Sequence, residues 1–234
     1  VNVDPGPGDL GPLNAINTTP GVHDLTHAHG FGGCAPHFAS ETGAGGNGSL
    51  TLVGSGNDIW GTADEFMFVY GSIAGDFEAE VTIDNRIMGA NNWAKMGIMA
   101  RLNCLQGSSY AFACDVQADP ALYAWVDAGN HAYSNETCFQ ERVATGTDAT
   151  WPGVAGDVLQ NQAADAASLD PTIGHANRLK LRREGNMFTG YGWDEGGLLT
   201  GNPDLMDDWV PLGSAVIDEM DGLQVQLGLA VTSS

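Results

Sequence analysis

A succession of short alternating or β-rich runs dominates the sequence from Ser49 onward. The runs SLTLV, EFMFVY, FEAEVTI, AKMGIMARL and SYAFACDV are each bounded by Gly, Asn or Asp. Successive side chains of a β-strand point to opposite faces, so each run can bury one face against a second layer. Helical periodicity is almost absent, and the one stretch that suggests a helix is VLQNQAADAA around 158–167. The sequence therefore predicts a two-sheet antiparallel β-sandwich.

Two later stretches add strands to this prediction. RLKLRREGNMFTGYGW places a turn near Gly185–Asn186 between two alternating runs, which is typical of a β-hairpin. In the closing stretch LQVQLGLAVTSS, Leu223, Val225 and Leu227 would share one face. We therefore expect a C-terminal strand inside a sheet.

The chain of 234 residues suits one large domain, since all-β sandwiches of this length commonly form a single unit. Residues 1–40 carry PGPG, GPL, TTPG and GFGG, which predict an extended Pro/Gly-rich N-terminal arm held against its own domain or a neighbouring copy. The sandwich is expected over 41–234. An irregular insertion, rich in Asp, Ala, Gly and Asn, is expected at about 127–177.

The charge balance narrows the possible partners. Eight Lys and Arg against 29 Asp and Glu give a formal charge of −21, which disfavours nucleic acid and anionic membrane surfaces. No apolar run approaches the roughly 20 residues that a membrane-spanning helix requires, so no membrane insertion is expected. An acidic surface instead suits an extracellular or cell-surface protein and divalent cations.

Cysteine usage also favours an oxidising, extracellular setting. The four cysteines lack C-x-x-C spacing, so a thiolate zinc cluster has little support and two disulfides in any of three connectivities are expected. The candidates are Cys34, Cys104, Cys114 and Cys138. Sequons at Asn17, Asn47 and Asn135 are compatible with a glycosylated exterior.

Five motifs in order carry a resemblance to a known family. They are DIWGTADEFMFVY, GDFEAEV, NNWAKMGIMAR, LKLRREGNMFTGY and GLAVTSS. Together they resemble the concanavalin A-like jelly-roll modules of secreted and surface proteins of prokaryotes, over most of residues 45–234. The resemblance implies a jelly-roll sandwich, whereas its members include glycan-active enzymes, adhesins and structural proteins alike.

The stretch NDIWGTADEF gathers carboxylates that could bind calcium. Asp58, Asp64 and Glu65 supply oxygen ligands of the kind that Ca²⁺ prefers. The alternative is structural: Asn57 and Asp58 cap a turn, Trp60 fills the edge of the sandwich and Asp64 begins a strand. The structural alternative is preferred, because D-x-D-x-D-G spacing is missing.

Four of the eight basic residues fall between 178 and 183, and Arg178, Lys180 and Arg182 share one strand face. Across the hairpin these residues would oppose Tyr191, Thr189 and Met187, so stacking on the Tyr191 ring is possible, and Trp193 is a further candidate ligand-binding residue. The basic stripe could bind a uronic-acid-type glycan or an acidic patch of a second copy. Alternatively, it pairs with Asp and Glu of adjacent strands in the same molecule.

Histidines in the arm offer a second metal hypothesis. His23, His27 and His29 could ligate zinc or copper with a further partner, since His27 and His29 lie on one side of an extended chain. The stretch lacks H-E-x-x-H spacing, which instead favours surface histidines.

Catalytic patterns are weak. Glu78 and Glu80 share one face of FEAEVTI, as a glycosidase carboxylate pair would, but the E-x-D-x-x-E pattern of glycosidases with this fold is missing. A G-x-S-x-G elbow and a phosphate loop are also missing. The sequence therefore favours a protein that is not an enzyme.

Two functional hypotheses follow. The preferred one is a secreted structural or adhesive protein that associates with copies of itself through the N-terminal arm, forming a surface assembly or filament. The alternative is a carbohydrate-binding module that stacks one of its six tryptophans on a sugar of an extracellular glycan. A glycoside hydrolase is less favoured than either.

Overall fold

A computed structural model of the chain describes residues 27–30, 38–42, 49–54, 56–84, 94–116, 136–151, 176–197, 204 and 206–232. These residues form strands, loops and two short 3-10 helices, Glu195–Gly197 and Asp218–Met220. The twelve strands are β1 His27–Gly30, β2 Phe38–Thr42, β3 Ser49–Val53, β4 Met67–Ile73, β5 Phe77–Thr82, β6 Lys95–Arg101, β7 Tyr110–Val116, β8 Glu136–Arg142, β9 Arg178–Glu184, β10 Met187–Trp193, β11 Trp209–Val216 and β12 Val225–Thr232.

The strands form two main sheets. A six-stranded sheet has the order β1-β4-β12-β6-β7-β8, and a four-stranded sheet has the order β11-β10-β9-β5. β2 and β3 form a separate two-stranded sheet. Neighbouring strands within these sheets pair antiparallel. The predicted antiparallel β-sandwich is confirmed.

The main core lies between the two sheets. In β5 the buried residues Phe77, Ala79 and Val81 alternate with partly exposed ones, as the sequence predicts. They pack in one cluster with residues such as Leu179 of β9 and Ile98 of β6. Burial of these side chains, each worth about 1.5–3 kcal/mol for a large aliphatic or aromatic group, holds the sheets together.

The six-stranded sheet is also covered on its other face. Phe68, Met99 and Phe112 point away from the core between the sheets, yet each is fully buried in a second apolar cluster. Ile59 and Phe66, from the segment that precedes β4, belong to this cluster. Strands buried on both faces show continuous apolar runs rather than clean alternation, which explains the sequence AKMGIMAR.

Strand β8 lies inside the region predicted to be an irregular insertion. Its sequence ETCFQER places polar side chains on both faces, so alternation does not reveal a strand. Thr137, Gln140 and Arg142 are nevertheless buried, because β8 pairs along its length with β7. The suggested helix at 158–167 lies outside the described residues.

The predicted arm also contains strand structure. β1 pairs antiparallel with the edge of β4, from His27 opposite Tyr70 to Gly30 opposite Met67. β2, which starts within the arm at Phe38, pairs with β3. The other residues of the arm lie outside the described part of the chain.

Candidate functional site

A buried ionic cluster fixes the corner predicted from NDIWGTADEF. Asp64 accepts hydrogen bonds from Arg101 Nη1 at 2.7 Å, from Arg142 Nη1 at 2.6 Å and from Arg142 Nη2 at 2.7 Å. The side chains of all three residues are fully buried. Tyr110 contributes an aromatic ring, which lies 5.6 Å from the Arg101 guanidinium and 4.9 Å from that of Arg142.

Backbone carbonyls satisfy the remaining guanidinium donors. Arg142 donates to the carbonyl oxygens of Gly61, at 2.8 Å, and of Thr147, at 3.0 Å, and Arg101 donates to that of Leu105 at 2.7 Å. Burial lowers the pKa of Arg101, an effect that Asp64 opposes. Burial would also lower the pKa of Arg142, but its hydrogen bonds to Asp64 and the charge of Asp64 outweigh burial and raise it. The cluster therefore joins three loops around one carboxylate.

The other carboxylates of this corner lie elsewhere. Asp58 forms an ion pair with Lys95, and burial raises the pKa of Asp58 although Lys95 opposes the change. Among the described residues, Asp58, Asp64 and Glu65 included, no three His, Cys, Asp or Glu side chains are grouped to hold a metal. Asp64 lies before β4, which begins at Met67, and its carboxylate accepts hydrogen bonds from Arg101 and Arg142.

The basic residues of β9 meet carboxylates of β5. Arg178 pairs with Glu80 at 3.1 Å, and Lys180 pairs with Glu78 at 3.4 Å. Pairing within the same molecule, one of the two alternatives drawn from the sequence, is therefore present for both cations. The same contacts engage the two carboxylates that resembled a glycosidase pair.

Aromatic rings line the same sheet face. Trp193 and Trp209 have ring centroids 5.4 Å apart in an edge-to-face arrangement. The Arg178 guanidinium lies 4.8 Å from the Trp193 ring and 5.1 Å from the Trp209 ring. Lys180 Nζ lies 4.3 Å from the Trp209 ring and 5.2 Å from the Tyr191 ring. We call these five residues the aromatic-basic face.

The structure unites the predicted ligand-binding residues and adds one. Arg178, Lys180, Tyr191 and Trp193 belong to the face, and Arg182 lies beside it at the next outward position of β9. A hydrogen bond to Tyr191 and the charge of Glu184 raise the pKa of Arg182. Trp209 could not be singled out from the sequence, because its place depends on the pairing of β11 with β10, where Trp209 is opposite Trp193.

An open cleft adjoins one end of this face. It has a volume of about 500 Å³ and is lined by Thr82, Ile83, Asp84 and Asn177. Asn177 precedes Arg178, and its amide nitrogen donates to Glu195 while its buried Oδ1 has no hydrogen-bond partner. The cleft thus extends the aromatic-basic face with amide, hydroxyl and carboxylate groups.

A second aromatic pair lies at the ionic corner. The rings of Trp60 and Trp151 have centroids 5.0 Å apart, and Lys95 Nζ lies 5.7 Å from the Trp60 ring. The Trp60 side chain is 36% exposed. Trp93 and Trp125 lie outside the described residues.

The remaining predicted sites are only partly within the described chain. His23 and Cys34 lie outside it. His27 and His29 lie in strand β1. Cys104, Cys114 and Cys138 are thiols in this structure, so no disulfide joins any two of these three residues.

Comparisons with known proteins do not assign the chain to a family. No protein-family model, no curated protein and no solved structure matches it. Within the described residues there is no helix long and apolar enough to cross a membrane. The resemblance to concanavalin A-like modules stays a prediction.

Proposed function

We propose that this protein is a non-catalytic glycan-binding protein, and that a neutral sugar chain lies across the aromatic-basic face. The observation that supports the proposal most directly is the pair Trp193 and Trp209, 5.4 Å apart and flanked by Arg178 and Lys180. Both indoles are only partly buried. An extracellular or cell-surface location, where such glycans are found, is part of this proposal.

The chemistry of the face suits a sugar ring. A pyranose has an apolar face of C–H groups, which packs on an indole, and a polar rim of hydroxyl groups, which need donors and acceptors. Glu78, Glu80, Arg178 and Lys180 supply both next to the rings. Their ion pairs hold these groups in place, which lowers the entropy cost of binding.

Charge favours a neutral sugar over a uronic acid. Arg178 and Lys180 are each paired with a glutamate, so their charges are locally compensated. The chain carries a formal charge of −21, which repels an acidic polysaccharide. A neutral sugar chain needs no uncompensated cation to bind and is not repelled by the net negative charge.

A glycan array followed by calorimetry tests the proposal. We expect the wild-type protein to bind a neutral glycan, and Trp209→Ala and Trp193→Ala to lose at least about tenfold in affinity, equivalent to about 1.4 kcal/mol. Trp60→Ala is the matched control, since Trp60 is a partly exposed tryptophan outside the face. An array without a ligand, or equal losses in all three variants, would refute the proposal.

Salt dependence distinguishes the two classes of glycan. Affinity for a neutral chain should change little as sodium chloride is raised, because no net charge is neutralised on binding. A steep decrease in affinity with salt, together with selection of acidic glycans on the array, would instead indicate the uronic-acid alternative.

A second candidate function is self-association by exchange of strand β1. β1 has four residues and occupies the outer edge of the six-stranded sheet, beside β4. The same edge could accept β1 of a neighbouring copy through the same main-chain hydrogen bonds. This arrangement would give the adhesive assembly that the arm suggested.

Two deletions test the exchange. Removing residues 1–30 removes β1, whereas removing residues 1–20 leaves it in place. If the protein self-associates through β1, oligomers or filaments should persist after removal of residues 1–20 and disappear after removal of residues 1–30. Size-exclusion chromatography and electron microscopy measure this outcome. Monomers for the full chain and for both deletions would exclude this candidate.

A further inference from the structure

We propose that Cys114 and Cys138 form a disulfide bond that fastens the edge strand β8 to β7. The two residues lie directly opposite each other in the antiparallel register of these strands. Their sulfur atoms are 3.4 Å apart as thiols. The bond would be a modification site independent of the aromatic-basic face.

The backbone already has the spacing that a disulfide requires. Directly opposite residues of an antiparallel pair have Cα atoms about 4.5–5.5 Å apart. Disulfides span Cα distances of about 4.4–6.8 Å, so the register of Cys114 and Cys138 meets the Cα requirement for the bond. Pairing is regular on both sides, with Phe112 opposite Gln140 and Val116 opposite Glu136.

The position of Cys104 argues against it as an alternative partner. Its sulfur lies 3.0 Å from the Tyr70 hydroxyl oxygen and accepts a hydrogen bond from Gln226 Nε2 at 3.0 Å. These contacts place it with strands β4 and β12. The Cys114–Cys138 pair therefore selects one of the three connectivities that four cysteines allow.

Bond formation requires a disulfide oxidant such as oxidised glutathione. One cysteine thiolate attacks the oxidant and releases one glutathione thiolate, leaving a mixed disulfide. The second cysteine thiolate attacks the protein sulfur of that mixed disulfide and releases the other glutathione. The protein thus loses two protons and two electrons, and the oxidant gains them as two thiols.

Burial determines when this exchange can occur. Cys114 is 0% exposed and Cys138 is 4% exposed, within the apolar cluster on the outer face of the six-stranded sheet. The oxidant must reach them during folding, before this face is covered. For the same reason a reductant should reach the finished bond slowly in the folded protein.

The bond would act together with the ionic cluster. Within the described residues β8 is the last strand of its sheet, and it carries Arg142 at its C-terminal end. Covalent attachment at Cys138, four residues earlier on the same face, would keep the Arg142 guanidinium in position for Asp64. An edge strand fixed in this way is also less available for pairing with other molecules.

Peptide mapping tests the bond directly. Trypsin alone leaves all three described cysteines in one peptide, 102–142, because Arg101 and Arg142 are the nearest basic residues. Added cleavage before aspartate separates a peptide that ends at Cys114 from one that contains Cys138. The Cys104→Ala variant removes the remaining ambiguity, since Cys114 is then the one cysteine of its peptide.

The protein should be refolded with oxidised and reduced glutathione, alkylated in denaturant without further reductant, and digested. We expect a linked pair of these peptides, lighter by two hydrogen atoms than their sum, in the wild type and in Cys104→Ala. Alkylation of both Cys114 and Cys138 in either protein, or linkage of Cys138 to Cys104, would overturn the proposal.

Stability supplies an independent measurement. Unfolding in denaturant with reductant should occur at a lower midpoint than unfolding without it for Cys104→Ala. For Cys104→Ala/Cys114→Ala/Cys138→Ala, which retains Cys34 alone, the two midpoints should agree. An equal effect of reductant on both variants would count against the bond.

Discussion

Asp64 and Arg142 form a two-pronged ion pair across 78 positions of sequence, with Nη1 to Oδ2 at 2.6 Å and Nη2 to Oδ1 at 2.7 Å. The planar guanidinium matches the carboxylate, and both groups are buried. Removal of water from two charges is costly, so the pair stabilises the fold only while every partner is present. This dependence makes the corner a sensitive place for substitution.

Asp64→Asn should destabilise the protein strongly. The variant removes the carboxylate with which the buried guanidinium groups of Arg101 and Arg142 pair, and we expect a loss of about 3–5 kcal/mol in the free energy of unfolding. Urea denaturation measures this loss. Glu65→Gln, the neighbouring carboxylate in the same motif, should change stability by less than about 0.5 kcal/mol. Similar losses in both variants would contradict the assigned role.

Arg142→Lys tests geometry at constant charge. A lysine ammonium cannot make the two parallel hydrogen bonds to Asp64 or also reach the carbonyls of Gly61 and Thr147. We expect a loss of about 2 kcal/mol or more, because buried acceptors are left unpaired. Arg182→Lys on the exposed face should be nearly neutral. If thermal unfolding shows the same midpoint for both variants, charge alone would account for the role of Arg142.

Ionisation of Glu141 should lower the stability of the folded protein as pH rises. Burial raises its pKa above the ordinary 4.5, although a hydrogen bond from Thr150 opposes the change, and its Oε2 has no partner. The folded state therefore binds the proton of the Glu141 carboxyl more tightly than the unfolded state does. The stability contributed by this proton is lost as pH rises from about 4.5 through the raised pKa of Glu141. Glu141→Gln should gain stability relative to wild type between pH 4 and pH 7, measured by urea denaturation.

Glu219 provides a control of opposite sign. Partial burial would raise its pKa, but hydrogen bonds from Thr145 outweigh burial and lower it below the ordinary 4.5. The ionised Glu219 carboxylate therefore stabilises the fold above about pH 4.5, and this contribution disappears as pH falls through the lowered pKa of Glu219. Glu219→Gln should therefore lose stability relative to wild type as pH rises over the same range. Parallel pH profiles for the two variants would refute both assignments.

Gly228→Ala should disrupt the centre of the six-stranded sheet. A Cβ atom at this position would lie 2.0 Å from the carbonyl oxygen of Val69 in the neighbouring strand, so the backbone must shift. We expect a loss of about 1–3 kcal/mol. Gly75→Ala is the control: its φ of +76° adds strain but its surroundings are open, and the expected loss is about 1 kcal/mol. A larger loss at Gly75 in chemical denaturation would contradict this reading of the sheet.

The sequence alone located most strands of the sandwich. The hairpin turn occurs at Gly185–Asn186, and the predicted runs correspond to β3–β7, β9, β10 and β12. Leu223, predicted to share a strand face with Val225 and Leu227, instead precedes β12 and is 48% exposed. These predictions succeed because alternation and turn residues are local properties, which each segment displays without reference to the others.

The pairing of distant segments was decided by the tertiary structure. Strand β8 could not be read from its sequence, since Arg142 and Gln140 are polar residues that become buried only when β8 joins β7. The partners of Asp64, the meeting of Trp193 with Trp209, and the approach of Cys114 to Cys138 depend likewise on strand register. The sequence by itself determined which residues alternate; their partners were fixed by the packing of two sheets, which brings together side chains far apart along the chain.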